Sequence, residues 1–268
     1  MKRLLRCALL AAQLAACHHE SAVQAQAKAL LDRGVAAYQK ADYAAAWPLF
    51  EQAAQAGHMK APRYLGLMYL HGNGIAADAA QAFAQFQIAA DKGDITSQYW
   101  LGYLYENGIG TAQDLAQARH WYEISAQRGD HIAAPAMTAL GRLYEQGKGV
   151  TANRATAVAW YEKAAAQDDK AAQFYLGLLY YGGKGVKQDY AKARAWWEKS
   201  AELGDINAQF WLGLLYEEGK GGARDLAKAR QWYEKAAAQG NKDAEEALQR
   251  LQNSGKQSPE YTTAVDAD

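Results

Sequence analysis

At 268 residues, 50% hydrophobic and 22% charged, the chain is long enough for a sizeable core or an extended repeat array. Its 29 basic and 29 acidic side chains cancel, which argues against non-specific nucleic-acid binding. Both cysteines, Cys7 and Cys17, lie at the start, so the body has no disulfide framework and no cysteine-based zinc site.

Residues 1–17 open with Lys2, Arg3 and Arg6 and continue as an apolar stretch from Cys7 to Ala16, broken only by Gln13. This is the layout of a secretory signal, and the stretch is shorter than the roughly 20 residues of a membrane span. Leu14-Ala15-Ala16-Cys17 also resembles a bacterial lipobox. That resemblance implies lipidation of Cys17, which would become the new N-terminus. His18, in place of Asp after the cysteine, then implies the periplasmic side of the outer membrane. The alternative is ordinary cleavage after Ala25, where Val23-Gln24-Ala25 offers small residues at the right spacing, and soluble periplasmic or secreted export. Residues 18–26 are small and polar and read as a tether. The pair His18-His19 has no third ligand nearby, so no metal site is assigned.

A repeat begins at Ala27. The first unit, 27–57, has the helix-to-helix spacing of a tetratricopeptide unit, with Gly34 ahead of Ala46. Five longer units follow over 58–240. Their Leu-Gly pairs, Leu65-Gly66, Leu101-Gly102, Leu140-Gly141, Leu176-Gly177 and Leu212-Gly213, recur 36, 39, 36 and 36 residues apart. Each unit reads as helix A, loop, helix B. Helix A runs from a small residue (Ala61, Ser97, Ala136, Ala172, Ala208) to just past a tyrosine (Tyr69, Tyr105, Tyr144, Tyr180, Tyr216). A glycine pair such as Gly219 and Gly221 supplies the left-handed conformation that a helix C-cap and reversal need. Asp78, Asp114, Asn153, Asp189 and Asp225 are placed to cap helix B. Helix B brings Ala82, Ala118, Ala157, Ala193 and Ala229 to its close approach with helix A. It then carries Trp121-Tyr122, Trp160-Tyr161, Trp196-Trp197 and Trp232-Tyr233, read as repeat core.

Helices of about a dozen residues are marginal alone, and stacking supplies the missing burial. The expected fold is all-α, a right-handed α-solenoid. Three extra residues within Asp130–Pro135 read as an inserted turn or as a change of superhelical pitch. A closing cap helix is expected at 241–251 and a disordered tail at 252–268.

The pattern A-x-x-x-L-G-x-x-Y, G-x-G, Asp, K-A, W-Y-x-K-A-A resembles the Sel-one-like repeat, a relative of the tetratricopeptide repeat with a longer inter-helix loop. The resemblance covers residues 61–251, with the looser unit in front. It implies protein–protein interaction: adaptors in signalling, envelope assembly and host contact, and immunity proteins against secreted effectors. A cysteine-rich branch is described as β-lactamase-like, and the absence of repeat cysteines places this chain outside that branch.

On a helical wheel, the core arc of helix A contains the small residue, the Leu, the Gly and the Tyr. Opposite it lie Arg63, Tyr64 and Leu67; Tyr99, Trp100 and Tyr103; Thr138, Ala139 and Arg142; Phe174, Tyr175 and Leu178; and Phe210, Trp211 and Leu214. Tyr99, Phe174 and Phe210 are expected to pack on the adjacent helix A. Tyr64, Trp100, Tyr103, Arg142, Tyr175 and Trp211 form the candidate partner-binding stripe of a concave groove, because aromatics with an arginine nearby suit binding hot spots. No Ser-x-x-Lys, Gly-x-Ser-x-Gly, His-Glu-x-x-His or phosphate-binding loop occurs. No catalytic, cofactor or metal residue is therefore assigned, and the sequence sets no oligomeric state. A β-lactam or cell-wall hydrolase is the alternative function.

Overall fold

A computed structural model describes the backbone of residues 2–256 and the side chains of residues 21–253. Every regular element among them is a helix: α1 (Lys2–Gln39), α2 (Tyr43–Gln55), α3 (Ala61–His71), α4 (Ala79–Asp91), α5 (Ile95–Asn107), α6 (Leu115–Ala126), α7 (Ala134–Gln146), α8 (Arg154–Ala165), α9 (Lys170–Gly182), α10 (Tyr190–Glu202), α11 (Ile206–Glu218), α12 (Leu226–Ala237) and α13 (Lys242–Lys256). The chain forms two compact units, divided between Ala136 and Met137. In the first, α1 to α5 each pack on the next helix in the chain and α5 packs on α6. In the second, the same sequential packing runs from α8 to α13. Within each unit the helix pairs stack in solenoid fashion.

Residues 18–26, expected as a tether, lie inside α1. The run Ala22-Val23-Gln24-Ala25-Gln26-Ala27 contains strong helix formers and neither Gly nor Pro, so nothing in it stops the helix. The closing helix reaches Lys256, further than expected. Most of the expected tail lies outside the described residues.

Local chemistry fixes each repeat. Asp78, Asp114, Asn153, Asp189 and Asp225 cap helix B through their side chains, as expected. Their backbone N–H groups donate to the carbonyls of Tyr69, Tyr105, Tyr144, Tyr180 and Tyr216, which closes the loop. Helices α5, α9 and α11 also carry cap residues, Asp94, Asp169 and Asp205. These caps start helix A two residues before the small residue from which it was expected to run. The second loop glycine has a packing duty of its own. A Cβ on Gly221 would stand 2.3 Å from the Tyr190 carbonyl oxygen, at the start of the preceding helix B. The insertion is a turn: the Asp130 side chain accepts from the N–H groups of Ile132 and Ala133 ahead of α7.

The core of each repeat is one large ring on a glycine seat. Phe86, Tyr122, Tyr161, Trp197 and Tyr233 are fully buried. They lie against Gly66, Gly102, Gly141, Gly177 and Gly213, where a Cβ would meet the ring at 3.1, 2.5, 2.5, 2.1 and 2.6 Å. The glycine of each Leu-Gly pair thus makes room for the aromatic of helix B. The first residue of each aromatic pair, Trp121, Trp160, Trp196 and Trp232, is half-buried, and Trp121 and Trp232 pack against the edge of the core. Adjacent helical residues point about 100° apart, so only one of a pair can face the seat. In unit 2 the outer tryptophans carry lysines over their rings instead: Lys163 on Trp160 at 4.2 Å, Lys199 on Trp196 at 4.7 Å and Lys235 on Trp232 at 3.9 Å.

Candidate partner-binding surface

Three of the six candidate residues, Tyr64, Trp100 and Tyr103, lie in unit 1; Arg142, Tyr175 and Trp211 lie in unit 2. All six are half-buried. In unit 1, Tyr64 stacks flat on Phe50 of α2, with centroids 4.7 Å apart, and meets the edge of Tyr38 at 5.9 Å. Arg63 lies over the Tyr64 ring at 4.9 Å and bonds Asp94, the buried cap of α5, at 3.2 Å. Trp100 stacks on Phe86 of α4 at 5.6 Å and meets Tyr103 edge-on at 5.5 Å. His71 meets Trp100 edge-on at 6.4 Å.

In unit 2, Tyr175 stacks on Tyr161 of α8 at 5.1 Å, and Trp211 packs on Trp197 of α10 at 5.3 Å. Arg142 lies close enough to Tyr161 for its charge to favour the ionised phenol, although burial and the neighbouring Glu145 push the Tyr161 pKa far up.

One rule covers all four rings. Tyr64, Trp100, Tyr175 and Trp211 each lie on the core ring of the preceding helix B, 14 residues earlier in every case. Tyr99, Phe174 and Phe210 pack on Tyr122, Trp197 and Tyr233 of their own helix B. Thr138 and Ala139, assigned outward, are buried. The wheel failed in one direction for one reason. A helix A packs against two helices B, its own and the preceding one, so its buried arc is wider than a single partner would make it.

The pattern Leu-Gly, G-x-G, Asp and W-Y over helix pairs matches the Sel1 repeat in six copies, at residues 27–58, 62–94, 95–130, 134–169, 170–205 and 206–241. The chain belongs to the Sel1 repeat family. Repeats of this kind serve generally as scaffolds that bind protein partners.

The chain is similar to a protective antigen of uropathogenic Escherichia coli with this fold, at 36% identity and a TM-score of 0.71. That match covers 87% of this chain but 50% of the antigen, so the chain spans half the length of that relative. A Sel1 repeat protein from Oxalobacter formigenes is 29% identical, with a TM-score of 0.75 over 85% of this chain and 100% of that one. An immunity protein from Pseudomonas aeruginosa shares the fold at 21% identity and a TM-score of 0.55, covering 77% of this chain and 82% of that one. No curated protein matches the chain.

Sequence reasoning overlooked one aromatic neighbour of the candidate surface in unit 2. Tyr181 meets Trp211 at 5.5 Å and Tyr190 at 5.2 Å. Lys220 reaches the Tyr181 hydroxyl at 3.3 Å and Glu218 at 2.8 Å. The bonds to Glu218 and then Tyr181 hold the Lys220 pKa above its usual range. The signal was present: Tyr181 stands where the neighbouring repeats carry Glu145 and Glu217. Cys17 lies outside the residues whose side chains are described. No described helix is long and apolar enough to cross a membrane.

Proposed function

We propose that this chain is an exported scaffold of the bacterial cell envelope. It binds a protein or peptide segment through the helix-A faces of its repeats and is held at the outer membrane by a lipid on Cys17. The observation that carries the binding surface is the half-burial of Tyr64, Trp100, Tyr175 and Trp211. Each ring is fixed on one side by packing on a core aromatic. A ring held in this way loses little conformational freedom when a partner covers its other face, and rigid aromatics are the usual anchors of an interface. Membership of a scaffold family supports the same reading.

The test is capture by crosslinking from native envelopes. Tyr175→Ala and Trp211→Ala are expected to lower recovery of the partner by about tenfold, as loss of an anchor would. Recovery equal to wild type from folded variants sinks the binding face. Cys17→Ser is expected to move the protein from the membrane fraction to the soluble one, and unchanged membrane association removes the anchor. The narrower role, immunity against a secreted effector, is tested by coexpression with an effector encoded beside the gene. Growth unchanged by coexpression rules that role out.

A further inference from the structure

A cleft of about 510 Å³ lies in unit 1 between the Gln24–Asp32 stretch of α1 and the turn from α2 to α3. It is distinct from the aromatic surface and stands independently of the scaffold reading. Its volume falls within the range of small-molecule sites, roughly 300–1,000 Å³. It exists because α1 runs on past the turn, so that Gln24, Ala27, Lys28 and Leu31 overhang Gly57 to Lys60.

The chemistry of the cleft is two-sided. Ala27 and Leu31 form a buried apolar floor, and Met59, 38% exposed, lies open at the rim. The rim is basic. Lys28 is paired with Asp32 at 2.7 Å, so those charges cancel. Lys60 forms no ion pair among the described residues and contributes one net positive charge. It stands just before α3, whereas α5, α9 and α11 carry Asp94, Asp169 and Asp205 before their first residues. This turn is the basic one of the set.

His58 completes the rim. Its Nδ1 accepts the backbone N–H of Lys60 at 3.2 Å. The neutral ring therefore carries its proton on Nε2, which is left as a donor. Burial first, then the charge of Lys60, holds its pKa below the usual histidine value. Lys28 and Arg63 act in the same direction and Asp32 opposes them. An anion placed between Lys60 and His58 would reverse that balance.

We infer that this cleft binds a small amphiphilic carboxylate. Its head would lie on Lys60 and the Nε2–H of His58, and its alkyl body on Met59 and the accessible edge of Leu31. The test is titration of the full chain with octanoate, followed by calorimetry and by the ring signals of His58. Saturable binding is expected, with the His58 pKa rising on binding and affinity increasing as pH falls from 7.5 to 5.5. Octan-1-ol, which lacks the charge, is expected to bind at least tenfold more weakly. Lys60→Glu, at an exposed position, is expected to weaken octanoate at least tenfold with the helical circular dichroism unchanged. Met59→Ser is expected to weaken octanoate and octanol alike. Equal binding of octanol and octanoate, octanoate binding insensitive to Lys60→Glu, or no saturable binding would each overturn the inference.

Discussion

The repeats α9–α10 and α11–α12 solve one packing problem with different chemistry. Each buries a large ring of helix B on a helix-A glycine: Trp197 on Gly177, Tyr233 on Gly213. They differ at the polar end of the ring. The Tyr233 hydroxyl donates to Glu217 at 2.7 Å, and Glu217 also receives Arg250 of the closing helix at 2.9 Å. Trp197 instead donates Nε1–H to the Phe174 carbonyl at 3.1 Å. Tyr181 replaces the glutamate there and packs on Trp197 at 5.6 Å. The other repeats fit the same logic. Glu106 serves Tyr122, Glu145 serves Tyr161, and apolar Leu70 stands at the position that would serve Phe86. What recurs is a geometry and a satisfied polar group, since a buried hydroxyl without an acceptor costs about 1–3 kcal/mol. A fixed pair of residue types is not required.

The sharpest way to break the comparison is at the seat. Gly177→Ala would place a Cβ 2.1 Å from Trp197 Nε1, and Gly213→Ala would place one 2.6 Å from Tyr233. Overpacking of this kind costs about 1–3 kcal/mol or more. Urea denaturation should show both variants destabilised, Gly177→Ala the more so. Equal stability with wild type would mean that the rings move aside freely.

Swapping the chemistry is the next test. Trp197→Tyr leaves a gap and an unserved hydroxyl, with an expected loss of about 2 kcal/mol. Adding Tyr181→Glu should recover about 1 kcal/mol, measured as the coupling energy of a double-mutant cycle. Zero coupling would show that the pairing across the five repeats has no energetic basis.

The third test uses pH. Burial, then the bond to Glu217 and its charge, raises the Tyr233 pKa far above that of a free phenol, and the same holds for Tyr161 beside Glu145. In the unfolded chain these tyrosines ionise near pH 10. Their contribution is therefore fully present below pH 10 and is lost as pH rises beyond it. Tyr233→Phe should cost about 1 kcal/mol at pH 7 and flatten the alkaline fall in melting temperature. An unchanged alkaline profile would assign that fall to other groups.

The smallest effects concern exceptions to the repeat. Asp168 holds φ at 57° where the other repeats end in glycine. Asp168→Gly should stabilise by about 0.5–1 kcal/mol, since the left-handed region costs most residues about 1–2 kcal/mol. A loss of stability would show that the Asp168 side chain has a role of its own. Buried Gln209 receives a donor from Gln239, but Gln173 Oε1 has no hydrogen-bond partner, because the exposed Leu203 occupies the corresponding position. Leu203→Gln should raise the melting temperature slightly.

These exceptions show where the sequence was legible. The helix-B caps, the loop glycines and the repeat period could be read because they depend on a few consecutive residues. The seat of Tyr122 on Gly102 was less plain, because the close approach had been assigned to the helix-B alanines. The packing of Trp100 on Phe86 and of Trp211 on Trp197 was missed. It depends on a third helix that a single-helix wheel does not contain, although the 14-residue interval was visible in the sequence. The basic cleft at Lys60 was missed for a related reason: it exists only because α1 overhangs a turn.

The most direct test of the binding face is site-specific photocrosslinking in cells. p-Benzoylphenylalanine is placed at Tyr103, Leu178 or Leu214 on helices A, and at Glu162, Arg230 or Glu234 on exposed positions of helices B. The expected result is a common protein adduct from the helix-A positions and none from the helix-B positions. Adducts confined to helix B, or none from any helix-A position, would contradict partner binding through the aromatic face.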